Sequence, residues 1–289
     1  MHEDPDSGDL PVQQHSAEQA TRRAEESTRQ GCDGGWRSPL RLAVVDSTNR
    51  YLVDLARSGA PEGTAVLAEA QTAGRGRLGR RWLDAPGGSV LCSVLFRPQL
   101  ALDRWHLLSW VVALAARDAC ADVAGVELRL KWPNDLQAGD RKVAGLLAEV
   151  ASAPGDAGGP ALVVGIGVNC NWPAGWPPPD DPDAADVALR ATSLDRLAGL
   201  PVDRDAVADR MLDRIGQRYG VLQGSPGATA SLATEYRRNL ATIGQAVRVD
   251  LAGETVTGDA LDVDDEGHLL VNVGACIRTV AAGDVVHLR

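Results

Sequence analysis

Residues 63–96 read GTAVLAEAQTAGRGRLGRRWLDAPGGSVLCSVLF. The runs at 63–70 and 89–96 have the length and apolar content of buried strands. Between them lies GRGRLGRRW, residues 74–82, which places four arginines and three glycines in a chain of formal net charge -10. Glycine lets backbone N–H groups come close to a ligand, and arginine supplies bidentate bonds to phosphate or carboxylate. The same composition also suits a solvated basic loop or a patch for RNA. Nucleic-acid affinity rests largely on neutralising phosphates, so the acidic balance favours a small anionic ligand held locally.

Working outward, 289 residues suggest about two domains. Residues 1–36 are polar with scattered apolar positions and read as a disordered arm. RLAVVD from Arg41 is a strand, after which Ser47 is placed to cap a helix carrying Tyr51, Leu52, Leu55 and Ala56, ended by Gly59. Residues 103–123 form a long, largely buried helix. VELRLKW alternates with Val126, Leu128 and Leu130 on one face, and VAGLLAEV and ALVVGIGV complete about six strands. The proline-rich stretch 172–186 is a loop, and helices follow at roughly 203–222 and 227–240. Short alternating runs over 241–289, separated by Gly and Asp turns, read as a small β-barrel appended to a 37–240 unit, an α+β arrangement.

No run approaches a membrane span and the N-terminus lacks a secretory pattern, which implies a cytoplasmic protein without membrane contact. Cysteines 32, 92, 120, 170 and 276 show no paired spacing, so neither a disulfide framework nor a metal site is expected.

Of 29 basic residues only Lys131 and Lys142 are lysines. Lysine is a compact charge with a tunable pKa, which a guanidinium cannot replace. Lys131 opens KWPNDL, residues 131–136, where Pro133 favours a turn that presents Lys131, Asn134 and Asp135 at a strand end. Such a turn serves either a phosphoryl group or a plain salt bridge. Lys142 lies in RKVAG, residues 141–145. GIGVN, residues 165–169, sets Gly165 and Gly167 at alternate strand positions, which weakens packing unless backbone or ligand comes close. Read singly, STN at 47–49 is a helix cap and Gln71 a polar strand end.

Together and in this order, STN, QTAGRGRLGRRW, KWPNDL, RKVAG, GIGVN and the terminal barrel resemble the biotin protein ligases over about residues 40–289. The resemblance implies a class II synthetase-like catalytic domain, a mixed sheet with helices, followed by an SH3-like barrel. It implies that biotin and MgATP give biotinyl-5'-adenylate and pyrophosphate, after which a lysine of a biotin carboxyl carrier domain displaces AMP. By similarity, Ser47, Thr48, Asn49 and Gln71 would meet the ureido ring, with the Gly74–Arg77 backbone (through Arg75 and Gly76) closing over it and Gly145, Gly165 and Gly167 in the same pocket. Lys142 would meet the biotin carboxyl, and Arg75 and Arg77 its valeryl end and the phosphates. Lys131 would bridge carboxylate and α-phosphate, with Asp135 orienting that lysine and assisting the acceptor amine. Trp82 would stack on adenine and Asn169 would contact phosphate or Mg2+. Lys131, Asp135 and Arg77 form the expected catalytic set.

A lipoate-type ligase is the nearest alternative, and an RNA-binding protein the alternative of a different class. No DNA binding is expected, because the arm offers neither an apolar stripe for a helix-turn-helix nor a basic face. Monomer and homodimer both remain open. Four adjacent cations repel, so the 74–82 loop is expected to be ordered only by a ligand anion.

Overall fold

Strands buried on both faces need apolar residues at every position, and two runs in this chain meet that demand. The computed structural model describes Trp36 and residues 38–151, 159–251 and 253–288. In it β3 (Ser89–Phe96) and β7 (Leu162–Asn169) are fully buried and pair antiparallel at the centre of a seven-stranded sheet. The remaining strands are β1 (Leu40–Val45), β2 (Ala65–Gln71), β4 (Arg129–Lys131), β5 (Asp135–Ala138) and β6 (Arg141–Val150), in the order β1-β2-β3-β7-β6-β5-β4. Only β1 and β2 are parallel, so the sheet is mixed, as expected.

Strand periodicity sorts the two faces. Val90, Cys92, Val94 and Phe96 of β3, and Leu162, Val164, Ile166 and Val168 of β7, join the main core. That core is completed by α2 (His106–Ala124), α5 (Arg204–Gly224) and α6 (Ala228–Asn239). Helix α2 buries Leu107, Leu108, Trp110, Val111, Val112 and Leu114, so it is apolar all round and sits inside the fold. The opposite face carries α1 (Thr48–Arg57), whose Leu52, Leu55 and Ala56 cover Val66, Leu95 and Val163. Beyond α1, that second face is open enough to hold side chains and a ligand.

Three differences from the sequence reading follow from backbone detail. KWPNDL is a tight reversal, but Asp135 begins β5, giving seven strands rather than about six; β4 in turn shortens to Arg129–Lys131. Ser47 occupies the N-cap position of α1 without a side-chain capping bond; its own N–H donates to Asp46 Oδ1 at 2.7 Å, and the Thr48 N–H at the head of the helix is taken by Gln71 Oε1 at 2.8 Å. The 172–186 stretch runs into two short helices, α3 (Ala184–Arg190) and α4 (Leu194–Ala198).

Apart from Trp36, the expected arm lies outside the described residues. Trp36 itself packs edge-to-face on Phe96 and Tyr219, with ring centroids 5.1 and 5.5 Å away. It therefore belongs to the packed body.

After α6 the chain is tied back to the first sheet: the Ala241 N–H donates to Leu130 O at 2.7 Å and the Trp132 N–H to Thr242 Oγ1 at 3.0 Å. It then forms β8 (Ala246–Asp250), β9 (Thr255–Val263), β10 (Leu269–Asn272), β11 (Ile277–Val280) and β12 (Asp284–His287), an antiparallel sheet ordered β11-β10-β9-β8-β12. Among the described residues no helix is long and apolar enough to cross a membrane, and the four described cysteines are free.

Candidate functional site

The open face of the first sheet is built from the alternate residues that the core does not take. Ser93 of β3, Gly145, Leu147 and Glu149 of β6, and Gly165, Gly167 and Asn169 of β7 all look this way. Two hollows share it.

The first is a crevice of about 30 Å³ lined by Ser47, Thr48, Asn49, Gln71, Arg75, Trp82, Gly145, Leu147, Gly165, Ile166 and Gly167. Its polar groups form one connected network. The Thr48 backbone N–H donates to Gln71 Oε1 at 2.8 Å. Ser93 Oγ donates to Asn49 Oδ1 at 2.7 Å and lies 2.8 Å from Thr48 Oγ1. Asn49 Nδ2 donates to Leu147 O at 3.0 Å and Glu149 Oε2 at 2.8 Å. A buried network satisfied in this way holds its groups rigidly. Gly165 and Gly167 are required here by close approach: a Cβ on the first would collide with Asn49 Oδ1, and on the second with the indole of Trp82. Both glycines were expected at a ligand, and here they make room for the side chains that face one.

The second hollow is a cleft of about 570 Å³ bounded by Arg75–Arg77, Arg80–Leu83, Lys131–Asp135, Lys142, Gly145, Asn169, helix α3 and, from the second sheet, Asp284 and Val285. Trp82, Arg75 and Gly145 line both hollows, so the cleft continues into the crevice.

The Gly/Arg loop is a hairpin with Arg75 bridged to Arg81 and a turn at Arg77–Gly79. The expectation that only a ligand anion could order it assumed four unopposed cations, whereas protein carboxylates face three of them. Arg75 pairs with Glu149 at 2.8 Å, Arg81 with Asp181 at 3.2 Å and Asp183 at 3.3 Å, and Arg80 with Asp284. Arg77 is the remaining arginine. Among the described residues it makes no ion pair; its Nη1 donates to Asn134 Oδ1 at 3.3 Å, and burial pulls its pKa below the ordinary arginine value.

Lys131 is the second uncompensated cation, with no ion pair among the described residues. Burial depresses its pKa; Asp135 opposes this, while Lys142 and Arg190 add to it. Asp135 was expected to orient Lys131, but the β5–β6 hairpin carries its carboxylate to Lys142, 2.7 Å away. Lys142 Nζ also lies 5.5 Å from the centroid of Trp82. The Trp82 indole is wedged on Gly145 and Gly167 between the hollows. Asn169 is 3% exposed and donates to Thr192 O at 3.0 Å, leaving its buried Oδ1 without a partner among the described residues.

The structure thus brings the expected site residues to these two hollows except Gly74, which lines neither and sits where a Cβ would lie 2.6 Å from Trp82 O. Reading the sequence missed Ser93, Glu149, Asp183 and Asp284. Ser93 and Glu149 left a faint trace, each a polar residue on the odd face of an otherwise apolar run. Asp183 and Asp284 left none, because their partners lie far away in sequence.

Two family models match the chain: the biotin/lipoate A/B protein ligase family over residues 42–171 and the biotin protein ligase C terminal domain over 242–288. The biotin--[acetyl-CoA-carboxylase] ligase of Mycobacterium tuberculosis is 40% identical over 265 residues, covering 90% of this chain and 92% of that protein. The bifunctional ligase/repressor BirA of Bacillus subtilis is 33% identical, over 84% of this chain and 71% of its own length. Among solved structures, the biotin protein ligase from Aquifex aeolicus in complex with biotin and ATP superposes with a TM-score of 0.71 at 28% identity, covering 87% of this chain and 99% of that one.

Proposed function

The chain belongs to the biotin protein ligase family and is an ATP-dependent ligase, and from that premise we propose how its residues divide the work. The reaction has two steps. A biotin carboxylate oxygen attacks the α-phosphorus of ATP and pyrophosphate leaves. The amine of an acceptor lysine then attacks the acyl carbon and AMP leaves.

The observation that carries the assignment is the pair of uncompensated cations, Arg77 and Lys131, on the wall of a cleft whose other loop arginines are all neutralised. Bringing a carboxylate against a triphosphate meets strong like-charge repulsion, and fixed cations in a water-poor site relieve it most where charge develops. In this reading Lys131 would bridge carboxylate and α-phosphate, and Arg77 would bind the phosphates. The neutral groups of Ser47, Thr48, Asn49 and Gln71 suit the uncharged ureido ring, which needs partners that both donate and accept. Lys142, held by Asp135, would meet the biotin carboxyl at the junction. Asp135 therefore acts on the reaction through Lys142 in this reading, and Trp82 separates ring from nucleotide, contacting adenine by its cleft edge.

The cleft carboxylates Asp135, Asp183, Asp186 and Asp284 are all engaged in ion pairs, whereas Asn169 Oδ1 is free to accept a ligand. This fits Mg2+ arriving on the nucleotide with its own phosphates and waters rather than an all-protein cage. When bound, the ion would neutralise phosphate charge.

The acceptor we assign is the biotin carrier domain of a carboxylase, modified in the cytoplasm. We assign no DNA role, since the chain carries ten more negative than positive charges. The test is pyrophosphate exchange with biotin or lipoate as the acid, followed by transfer to a purified carrier domain. Biotin should support both steps, and exchange driven by lipoate instead would overturn the assignment.

A further inference from the structure

The geometry points to Asp284 as a positioning residue: from the second sheet it anchors the tip of the Gly/Arg hairpin through Arg80 and so fixes Arg77 over the cleft. This inference rests on the ligase reading above. The two feet of the hairpin are tied to nearby parts of the catalytic unit, Arg75 to Glu149 of β6 and Arg81 to Asp181 and Asp183 ahead of α3. Its tip has a different support. Leu78 there holds φ at 56°, a left-handed conformation that a non-glycine residue adopts at a cost, and its side chain is 73% exposed, so the turn has little packing of its own.

Two successive residues of the second sheet reach this tip. Asp284 takes Arg80, and the Gly283 carbonyl lies 3.5 Å from Arg77 Nη1. The anchor is stiff. Asp284 opens β12 and pairs with Asp250 of β8, its carboxylate side chain is 25% exposed, and Val285 beside it is buried. At Gly283 the backbone presses on β8 so closely that a Cβ would lie 2.7 Å from Val249 Cγ1 and 2.8 Å from Leu251 Cδ2.

Removing the Asp284 charge would free the tip and leave Arg80 as a third uncompensated cation three residues from Arg77. Both effects misplace the group that must meet the phosphates. An exposed ion pair contributes little to global stability, so the effect belongs in the hairpin and in the rate rather than in the melting temperature.

The experiment uses the full chain as wild type, Asp284→Asn, Arg80→Gln, the double variant and the reversed pair Arg80→Asp with Asp284→Arg. Biotin-dependent pyrophosphate exchange gives kcat/KM for ATP, and trypsin cleavage after Arg75 or Arg77, mapped by mass, reports the ligand-free hairpin. Each single variant should lose about 5- to 20-fold in kcat/KM. The double variant should lose no more than either single one, and the reversed pair should return to within about threefold of wild type. Asp284→Asn should be cut at the hairpin about fivefold faster, with Tm within about 2 °C of wild type. Losses that add independently, a Tm that falls in step with activity, or unchanged cleavage in Asp284→Asn would overturn the anchor. If the wild type shows no biotin-dependent exchange, the ligase reading fails, and the trypsin comparison alone then decides whether Asp284 holds the hairpin.

Discussion

The crevice and the cleft share a sheet face and three lining residues, yet they are built on opposite principles. In the crevice, Thr48, Asn49, Gln71, Ser93 and Glu149 satisfy one another, and glycines admit the side chains that shape it. In the cleft, Arg77 and Lys131 have no ion pair, and Asn169 Oδ1 no hydrogen-bond partner, among the described residues. A neutral ring is recognised by groups already aimed, at little reorganisation; a reacting triphosphate is recognised by charge held in reserve until it arrives.

The sharpest way to break this contrast is to remove a reserved charge. Lys131→Ala should cut biotin-dependent pyrophosphate exchange by about 10- to 150-fold, the equivalent of about 1.5–3 kcal/mol, with the thermal transition unchanged, because that ammonium makes no ion pair among the described residues. Near-normal exchange in the folded variant would move the assignment elsewhere. On the crevice side, Gly167→Val should push Trp82 out of place, destabilising the protein by about 1–3 kcal/mol and raising KM for biotin more than KM for ATP. Equal changes in the two constants would mean that the hollows are not functionally distinct.

Besides Glu149, a second carboxylate lies against the crevice residue Gln71. Asp84 is 8% exposed and accepts the Gln71 backbone N–H, and burial pushes its pKa up to about 6. An acid whose folded pKa is raised costs stability as pH climbs from the unfolded value near 4 towards 6, and the cost persists above that. Asp84→Asn should therefore be more stable than wild type by about 1–2 kcal/mol at pH 7.5 in urea unfolding, with the gain vanishing near pH 4. A constant difference across that range would exclude titration of Asp84 as its source. The smallest expected effect separates the hollows by salt: between 50 and 300 mM NaCl, KM for ATP should rise about two- to fivefold while KM for biotin stays level.

Much of this was legible along the chain. The apolar runs at 63–70, 89–96 and 161–168 located the central sheet, and the alternate glycines of GIGVN marked a face where something must come close. The occupants escaped notice, since Asn49 and Trp82 reach those glycines from more than eighty residues away. Lys131 and Lys142 stood out by composition, but which lysine Asp135 would pair with depended on a hairpin register that one residue of slip reverses. The arginine stretch read as a basic loop between two strands, and the structure folds it into a hairpin on the rim of the cleft. Its internal neutralisation was not legible, because Glu149, Asp181, Asp183 and Asp284 carry no local mark of the arginines they meet. Trp36 looked like the end of an arm, as a lone aromatic in a polar stretch gives no period from which burial can be inferred.

The main apolar cluster does not stop where the first sheet ends. Val247, Val249, Val256, Ala260, Val263, Leu269, Val271, Val280 and Val285 of the second sheet are continuous with Phe96 of the first sheet, Trp110 of α2 and Tyr236 of α6. Two bodies that share one dry interior cannot melt apart without exposing it, so heating should produce a single calorimetric peak whose van't Hoff and calorimetric enthalpies agree, and the terminal strands should resist hydrogen exchange as long as the central ones do.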